Sequence, residues 1–247
     1  MSGRAARERG SAVSGVYAYC VLPAGRHPPP GLLGLDDRPV VGHEIEGLTT
    51  WISRSESEPA LGLDAVERHH RVVESAIAED VVPLRFGAWQ PDLSALGARI
   101  RRTRAELDTA LELVRGRVEF GVRVQEVAAS TPARAEPAIR AQAEPAVPAP
   151  SGKGYLRALS RREKQRAERR LQQDGLARRV REFLAELVVD ERVSYLDAPE
   201  VVALAHLVNR PDEPYYQARI RSLIVGEAEG YILHVTGPWP PYSFAAP

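Results

Sequence analysis

Few residues in this sequence are placed to do chemistry. His69 and His70 stand side by side in a stretch with helical apolar spacing. Adjacent side chains on a helix diverge by about 100°, so the pair cannot easily share one ion. A metal-binding helix would need histidines four apart and a third ligand, and His69 with Glu74 does not supply that spacing. The pair reads as semi-buried or surface. Cys20 is the sole cysteine and lies inside the apolar run Gly15–Leu22. A reactive thiol needs an exposed, electropositive setting, so Cys20 reads as a core residue. Gly31-Leu32-Leu33-Gly34 has no Lys-Ser/Thr after it, and no dinucleotide fingerprint or nucleophile elbow occurs. Asp36-Asp37 could be imagined as an acid–base pair, but beside Arg38 and Pro39 it reads as a solvated turn. No catalytic residue, metal ligand or cofactor site is assigned, and the chain is expected not to be an enzyme.

Binding chemistry is better represented. Arg85 is a charge within the apolar run Val81–Phe86. Either it snorkels to water from an edge strand, or it pairs with a buried carboxylate or a partner. Ser160–Arg170 carries six basic and two acidic residues in eleven. On a helix Arg162, Arg166 and Arg170 align, which suits a contact face for nucleic acid or an acidic partner. Lys164 and Glu168 also pair at i, i+4, as on a solvated helix, and no aromatics are interleaved. At the far end, Trp239, Tyr242 and Phe244 place three of the chain's fifteen aromatics among prolines. Prolines reduce the entropy lost when such a segment is fixed, and the rings carry large apolar area. The tail either folds back to close its own core or docks a partner. Arg85, Trp239, Tyr242 and Phe244 are therefore the candidate partner-binding residues.

The elements that must position them follow from periodicity. Gly15–Leu22 predicts a strand. Val40–Glu46 and Leu48–Ser53 predict a hairpin turning at Gly47. Asp64, with Glu67 three residues on, predicts a helix start, with Val66, His69, His70, Val73 and Ile77 as its apolar stripe. Val81–Phe86 predicts a buried strand. Asp92 opens a second helix carrying Leu93, Leu96, Ile100, Leu107, Leu111 and Val114, stopped by Gly116. Val118–Glu126 alternates as a half-buried strand, with Glu119, Gly121 and Arg123 outward. A long helix is expected from Lys153 to about Val189, then a strand at Val201–Val208, a helix at Glu213–Gly226 and a strand at Tyr231–Thr236.

The fold class is thus α+β, in two domains with ferredoxin-like features. The expected divisions are a disordered leader at 1–14, an N-terminal domain at 15–127, an Ala/Pro linker at 128–151, a C-terminal domain at 152–236 and a tail at 237–247. The linker holds nine alanines and five prolines with little periodicity. At 247 residues and 44% hydrophobic, the chain is long and apolar enough for packed cores. Its 33 basic and 33 acidic side chains balance, which removes any global pull toward nucleic acid or anionic membrane. One cysteine suits a reducing cytosol. No window approaches the roughly 20 apolar residues of a membrane span. The chain is expected to be soluble.

Three segments together resemble one family. They are Val81-Val82-Pro83-Leu84-Arg85-Phe86-Gly87, Gly116-Arg117-Val118-Glu119-Phe120-Gly121-Val122-Arg123-Val124 and Thr236-Gly237-Pro238-Trp239-Pro240-Pro241-Tyr242-Ser243-Phe244. Gly15-Val16-Tyr17-Ala18-Tyr19 and Gly154-Tyr155-Leu156 fit as well. They resemble the gas vesicle protein F/L family over about residues 14–247, with a lapse in the Ala/Pro stretch. The resemblance implies two α/β domains and a tail, no catalysis, and an accessory or minor structural role at the gas vesicle. It implies that the partners are the small hydrophobic shell protein, shell protein A, and other gas vesicle accessory proteins. The residues quoted do not separate the F from the L class. A nucleic-acid-binding regulator using the basic helix 161–170 is the alternative.

Overall fold

The computed structural model describes residues 15–126, 159–161, 163–164, 171, 174–175, 177–195, 201–226 and 231–245. The expected leader, the expected Ala/Pro linker and the expected boundaries at 127/128 and 151/152 lie outside the described residues, as do Arg162, Arg166, Arg169 and Arg170 of the basic run. The described chain falls into two compact units. The first takes in residues up to Phe120, together with Leu207–Pro211 and the residues from Thr236 onward. The second takes in 121–206 and 212–235.

The first unit is organised around β1, Gly15–Pro23, a strand so apolar that all but its last residue are buried. A strand buried on both faces needs neighbours on both edges. One edge pairs antiparallel with β3, Leu48–Ser55, which pairs in turn with β2, Val41–Ile45. The β2–β3 connection is the tight two-residue turn Glu46-Gly47, with φ of 53° and 73°. Positive φ at both central residues is the type I′ geometry that matches strand twist. The other edge of β1 pairs with β4, Val82–Pro83, and β5, Trp89–Gln90.

The strand order β2-β3-β1-β4 is that of a split βαβ unit. A loop with one 3-10 turn, Leu35–Asp37, stands where the first crossover helix would be. Asp36 and Asp37 are exposed in that turn.

Two sequence expectations need correction here. The strand expected over Val81–Phe86 shortens to Val82–Pro83. Pro83 cannot donate to a ladder, and after Leu84 donates to the Tyr19 carbonyl at 2.9 Å the chain swings out. It returns through Gly87, at φ 94°, to form the unexpected β5. The helix expected from Asp64 is α1, Leu63–Glu74, whose cap is Gly62, and Asp64 lies inside its first turn. Its buried residues are His69, Val72 and Val73, while Val66 is exposed.

Asp92 does cap the next helix, α2, Leu93–Arg102, accepting the Ala95 N–H at 2.7 Å. The single helix expected there is two. The backbone leaves the helical range at Thr103, with φ −100° and ψ 14°, where the hydroxyl donates to the Arg99 carbonyl at 3.1 Å; α2 ends there and α3 follows as Arg104–Val114. Leu96, Ile100 and Leu107 still reach the sheet, lying beside Ala18 of β1.

The second unit holds helical residues 177–184, β7, Asp190–Tyr195, and α4, Glu213–Gly226. The long helix was expected to reach Val189. It gives way to a turn at 185–187, and β7 follows as a strand missed for its polarity. A second sheet has the order β7-β8-β6-β9, where β6 is Arg117–Glu126, β8 is Val201–Asn209 and β9 is Tyr231–Trp239. As an edge strand, β7 carries the charges Asp190, Glu191 and Arg192, which discourage stray pairing. Ala177, Val180, Leu184, Tyr216, Ile220 and Leu223 are buried on its helices.

Replacing Asp92 by Ala removes the only side-chain cap of α2. The expected cost is about 1 kcal/mol of stability, read from the midpoint of urea unfolding at unchanged slope.

Candidate functional site

Two of the family-like segments are held by buried polar contacts in the first unit. The first runs through β1. Leu84 offers only a carbonyl oxygen to Nε2 of His69, at 3.0 Å, so Nε2 carries the proton. The neutral ring then has Nδ1 free to accept the Tyr17 hydroxyl at 2.8 Å. Tyr17 in turn accepts the Gly87 N–H at 3.2 Å. The chain Gly87–Tyr17–His69–Leu84 thus clamps both ends of the 84–87 loop. Two residues on, Tyr19 accepts the Leu35 N–H at 2.8 Å and bonds Ser53 at 2.8 Å, fixing the 3-10 turn to β3. Burial pushes the His69 pKa down to about 4, aided slightly by His70 and resisted by the Leu84 carbonyl. Burial also raises the Cys20 thiol well above its ordinary range, and Cys20 is fully enclosed. His70 points elsewhere, against the tail.

The second contact set seats the tail. Strand β9 continues to Trp239, past the expected end at Thr236. The Gly237-Pro238 bond is cis, and Gly237 has φ 116°. A Cβ there would lie 2.8 Å from the Glu119 carbonyl oxygen, so both conformation and space require glycine. The Glu119 carboxylate accepts the Ser243 N–H at 2.8 Å and the Ser243 hydroxyl at 2.7 Å. Burial raises the Glu119 pKa and the two Ser243 bonds hold it back. The alternation in β6 had placed Glu119 outward. It is buried because the tail lies over it.

The predicted binding residues separate accordingly. Trp239 is half-buried, its ring 5.2 Å from His70. Tyr242 sits 5.8 Å from His70 and packs on the core of Tyr17, Tyr19, Trp51, Val72 and Val73. Phe244 is buried in the same unit. Arg85 is exposed on the loop after β4, with no ion-pair partner among the described residues. The Tyr242 hydroxyl is buried without a hydrogen-bond partner among the described residues. Nearby, Asp80 gathers the chain, accepting the Gly116 N–H at 2.8 Å and pairing with Arg210 at 3.4 Å.

In the second unit, fully buried His206 bonds Tyr216 at 2.8 Å and Glu191 at 3.2 Å. Burial works to raise the Glu191 pKa, but His206 and Arg181 outweigh it and lower it. Among the described residues no group of three or more His, Cys, Asp or Glu could hold a metal. No helix there is long and apolar enough to cross a membrane.

Sequence reasoning missed a concavity on the first unit. A groove of about 650 Å³ opens between β2 and the start of α2, over Val16, Val41, Ile52 and Leu93, with Arg38 and Arg54 at its rim. Leu93 reads in the sequence as part of the apolar stripe of its helix, and Val41 as one residue of the expected hairpin.

Two measurements check these assignments. His69 is neutral when folded and has an ordinary pKa when unfolded, so the unfolded chain binds the extra proton between about pH 6.5 and 4. Stability should be unaffected at pH 7 and fall by roughly 2–3 kcal/mol as the pH drops through that window. His69→Gln, which can still donate to Leu84 and accept from Tyr17, should flatten that part of the stability–pH curve. Tyr242→Phe deletes an orphaned hydroxyl and should raise stability by about 1 kcal/mol in urea unfolding.

Comparison with known proteins supplies the family. The model of the gas vesicle synthesis protein GvpL/GvpF family matches residues 15–246. Gas vesicle protein L of Streptomyces sp. (strain CB03234) is 30% identical over 243 residues, covering 91% of this chain and 88% of that one. The crystal structure of GvpF from Anabaena sp. PCC7120 superposes with a TM-score of 0.72 at 20% identity, covering 95% of this chain and 97% of that one. GvpF from Microcystis aeruginosa gives 0.71 at 16% identity, covering 94% and 99%. At those identities the two crystal structures speak to the fold alone, which is the same mixed fold of helices and two sheets. Matched from its first described strand to its seated tail, this chain belongs to the gas vesicle synthesis protein GvpL/GvpF family.

Proposed function

We propose that this chain is a non-catalytic accessory or minor structural component of gas vesicles, acting in the cytoplasm and at the vesicle. In this reading it binds the small hydrophobic shell protein and other accessory proteins during assembly. The observation that carries the reading is the family match over residues 15–246, which includes both units and the tail.

The physical surface supports it. A partner for an aggregation-prone apolar protein needs exposed apolar area to hold it and charge to stay in solution. The first unit exposes Leu33, Val41, Leu61, Leu63 and Leu93. These stand among ion pairs such as Arg68–Asp37 at 2.9 Å and Arg38–Glu56 at 3.2 Å. Within this proposal the exposed Arg85 and the open side of Trp239 contact partners directly. Tyr242 and Phe244 act by keeping the tail seated.

Affinity purification of the tagged chain from vesicle-forming cells tests the reading. Recovery of the shell protein or of other vesicle accessory proteins is expected. Recovery of only ribosomal or nucleic-acid material would sink it.

A further inference from the structure

We propose that the arginine edge of the first unit, Arg85 with Arg99 and Arg102, docks residues 56–67 of a second copy of this chain, so that copies join head to tail. A second copy is a further partner beside those proposed above, and the purified chain alone tests it.

The first observation is a segregation of charge along the chain. Val81 to Ala105 holds five arginines and one acid, Asp92. Ser55 to Glu67 holds four acids and no basic residue. The overall balance of 33 against 33 conceals this division. The helices in the two stretches, α1 and α2, lie on opposite faces of the sheet. Helix α1 packs with Tyr17 and α2 with Ala18, and successive residues of a strand face opposite ways.

The second observation is which of these charges remain open. Arg101 pairs with Glu46 at 3.2 Å, Arg104 pairs with Asp108 at 2.9 Å, and Asp92 caps α2. Among the described residues no ion pair engages Arg85, Arg99 or Arg102. Arg99 and Leu84 line one small cleft, which sets this flank of α2 beside the loop that carries Arg85. Arg102 follows Arg99 by one helical turn. The loop is pinned by the His69 bond to Leu84 and the Gly87 bond to Tyr17, so its backbone is fixed before a partner arrives. In the acidic stretch, Glu56 is taken by Arg38 at 3.2 Å. The Arg68 that follows the stretch is taken by Asp37 at 2.9 Å. Glu58, Asp64 and Glu67 take part in no ion pair among the described residues.

The third observation is apolar area on both sides of the proposed contact. Leu61 is 83% exposed and Leu63 is 74% exposed, between Glu58 and Asp64. Leu84 and Phe86, either side of Arg85, are half-buried. Exposed leucines within an acidic rim therefore match apolar area within a cationic one. Each patch repels its own kind and attracts the other, so the contact joins unlike surfaces and continues from copy to copy. Three open arginines are too few for a tight nucleic-acid footprint, which draws on about 6–10 phosphate contacts.

The test is sedimentation velocity of the purified, nuclease-treated full chain over a concentration series. Association is expected in about 0.05 M salt and should weaken in about 0.5 M salt, where exposed charges are screened. Arg85→Glu with Arg102→Glu reverses the basic edge, and Glu58→Arg with Glu67→Arg reverses the acidic segment. All four residues are exposed, so both double variants should melt at the wild-type temperature. Each alone should self-associate at least about tenfold more weakly. An equimolar mixture of the two should associate again, because the reversed edge of one fits the reversed segment of the other. Misfolded chains would not be rescued in this way. If the arginine reversal melts early, Arg85→Gln with Arg102→Gln takes its place, with at least about threefold weakening expected.

A wild type that stays monomeric at every concentration in low salt overturns the proposal. So does association that either reversal leaves intact, or that mixing the two variants fails to restore. Association that occurs only before nuclease treatment overturns it in favour of bridging by nucleic acid.

Discussion

The proton on Nε2 of His69 sets the arrangement of the first unit. Because Leu84 can only accept, His69 must present Nδ1 to Tyr17, and Tyr17 is then left to receive the Gly87 N–H. Three segments far apart in sequence meet in this one chain of bonds: the central strand, helix α1 and the loop between β4 and β5. Tyr17 and His69 lie in a core where an unpaired group costs about 1–3 kcal/mol. A slip of any one segment therefore strands the other two. Side-chain bonding in place of a longer ladder also explains how β4 and β5 can each be two residues long and still define the sheet edge.

Much of this fold could be read from residue spacing. Strand β1, the β2–β3 hairpin, the Asp92 cap, the stop at Gly116 and the helix Glu213–Gly226 all follow from strong local signals, and all are found. What was not legible depends on contacts between segments. His69 and His70 looked equivalent in sequence, yet one is a core hydrogen-bond relay and the other a ring under the tail. Glu119 looked outward until Ser243 covered it. Thr103 looked like one more helical residue, yet its backbone, at φ −100° and ψ 14°, leaves the helical range and divides the helix in two. The groove was invisible for the opposite reason: Leu93 carries the pattern of a buried residue and Val41 is one residue of the hairpin, and no pattern reveals that nothing described covers them.

From sequence the tail could either close its own core or dock a partner. Its proline-spaced aromatics gave the signature of a docking peptide. In the structure Tyr242 and Phe244 are spent on the chain's own core, and Gly237 and Ser243 are fitted to Glu119. An aromatic–proline motif is thus as suitable for closing a core as for gripping another molecule, since both uses exploit the low entropy of the segment. The open apolar area lies instead at Val41 and Leu93, where the motif says nothing.

The position of the tail in the chain also bears on synthesis. Tyr242, Ser243 and Phe244 complete a unit whose first strand begins at Gly15, and residues 207–211 belong to the same unit. On the ribosome, β1 and α1 emerge long before the segments that close over them. For that interval the surface of Tyr17, Val73 and Glu119 that the tail later covers has no intramolecular lid. Closing so long a loop costs little extra entropy per added residue, but it cannot happen until the late segments are made. Maturation of the first unit is therefore coupled to completion of the second, and a nascent chain stalled between them would display the core face that the finished protein hides.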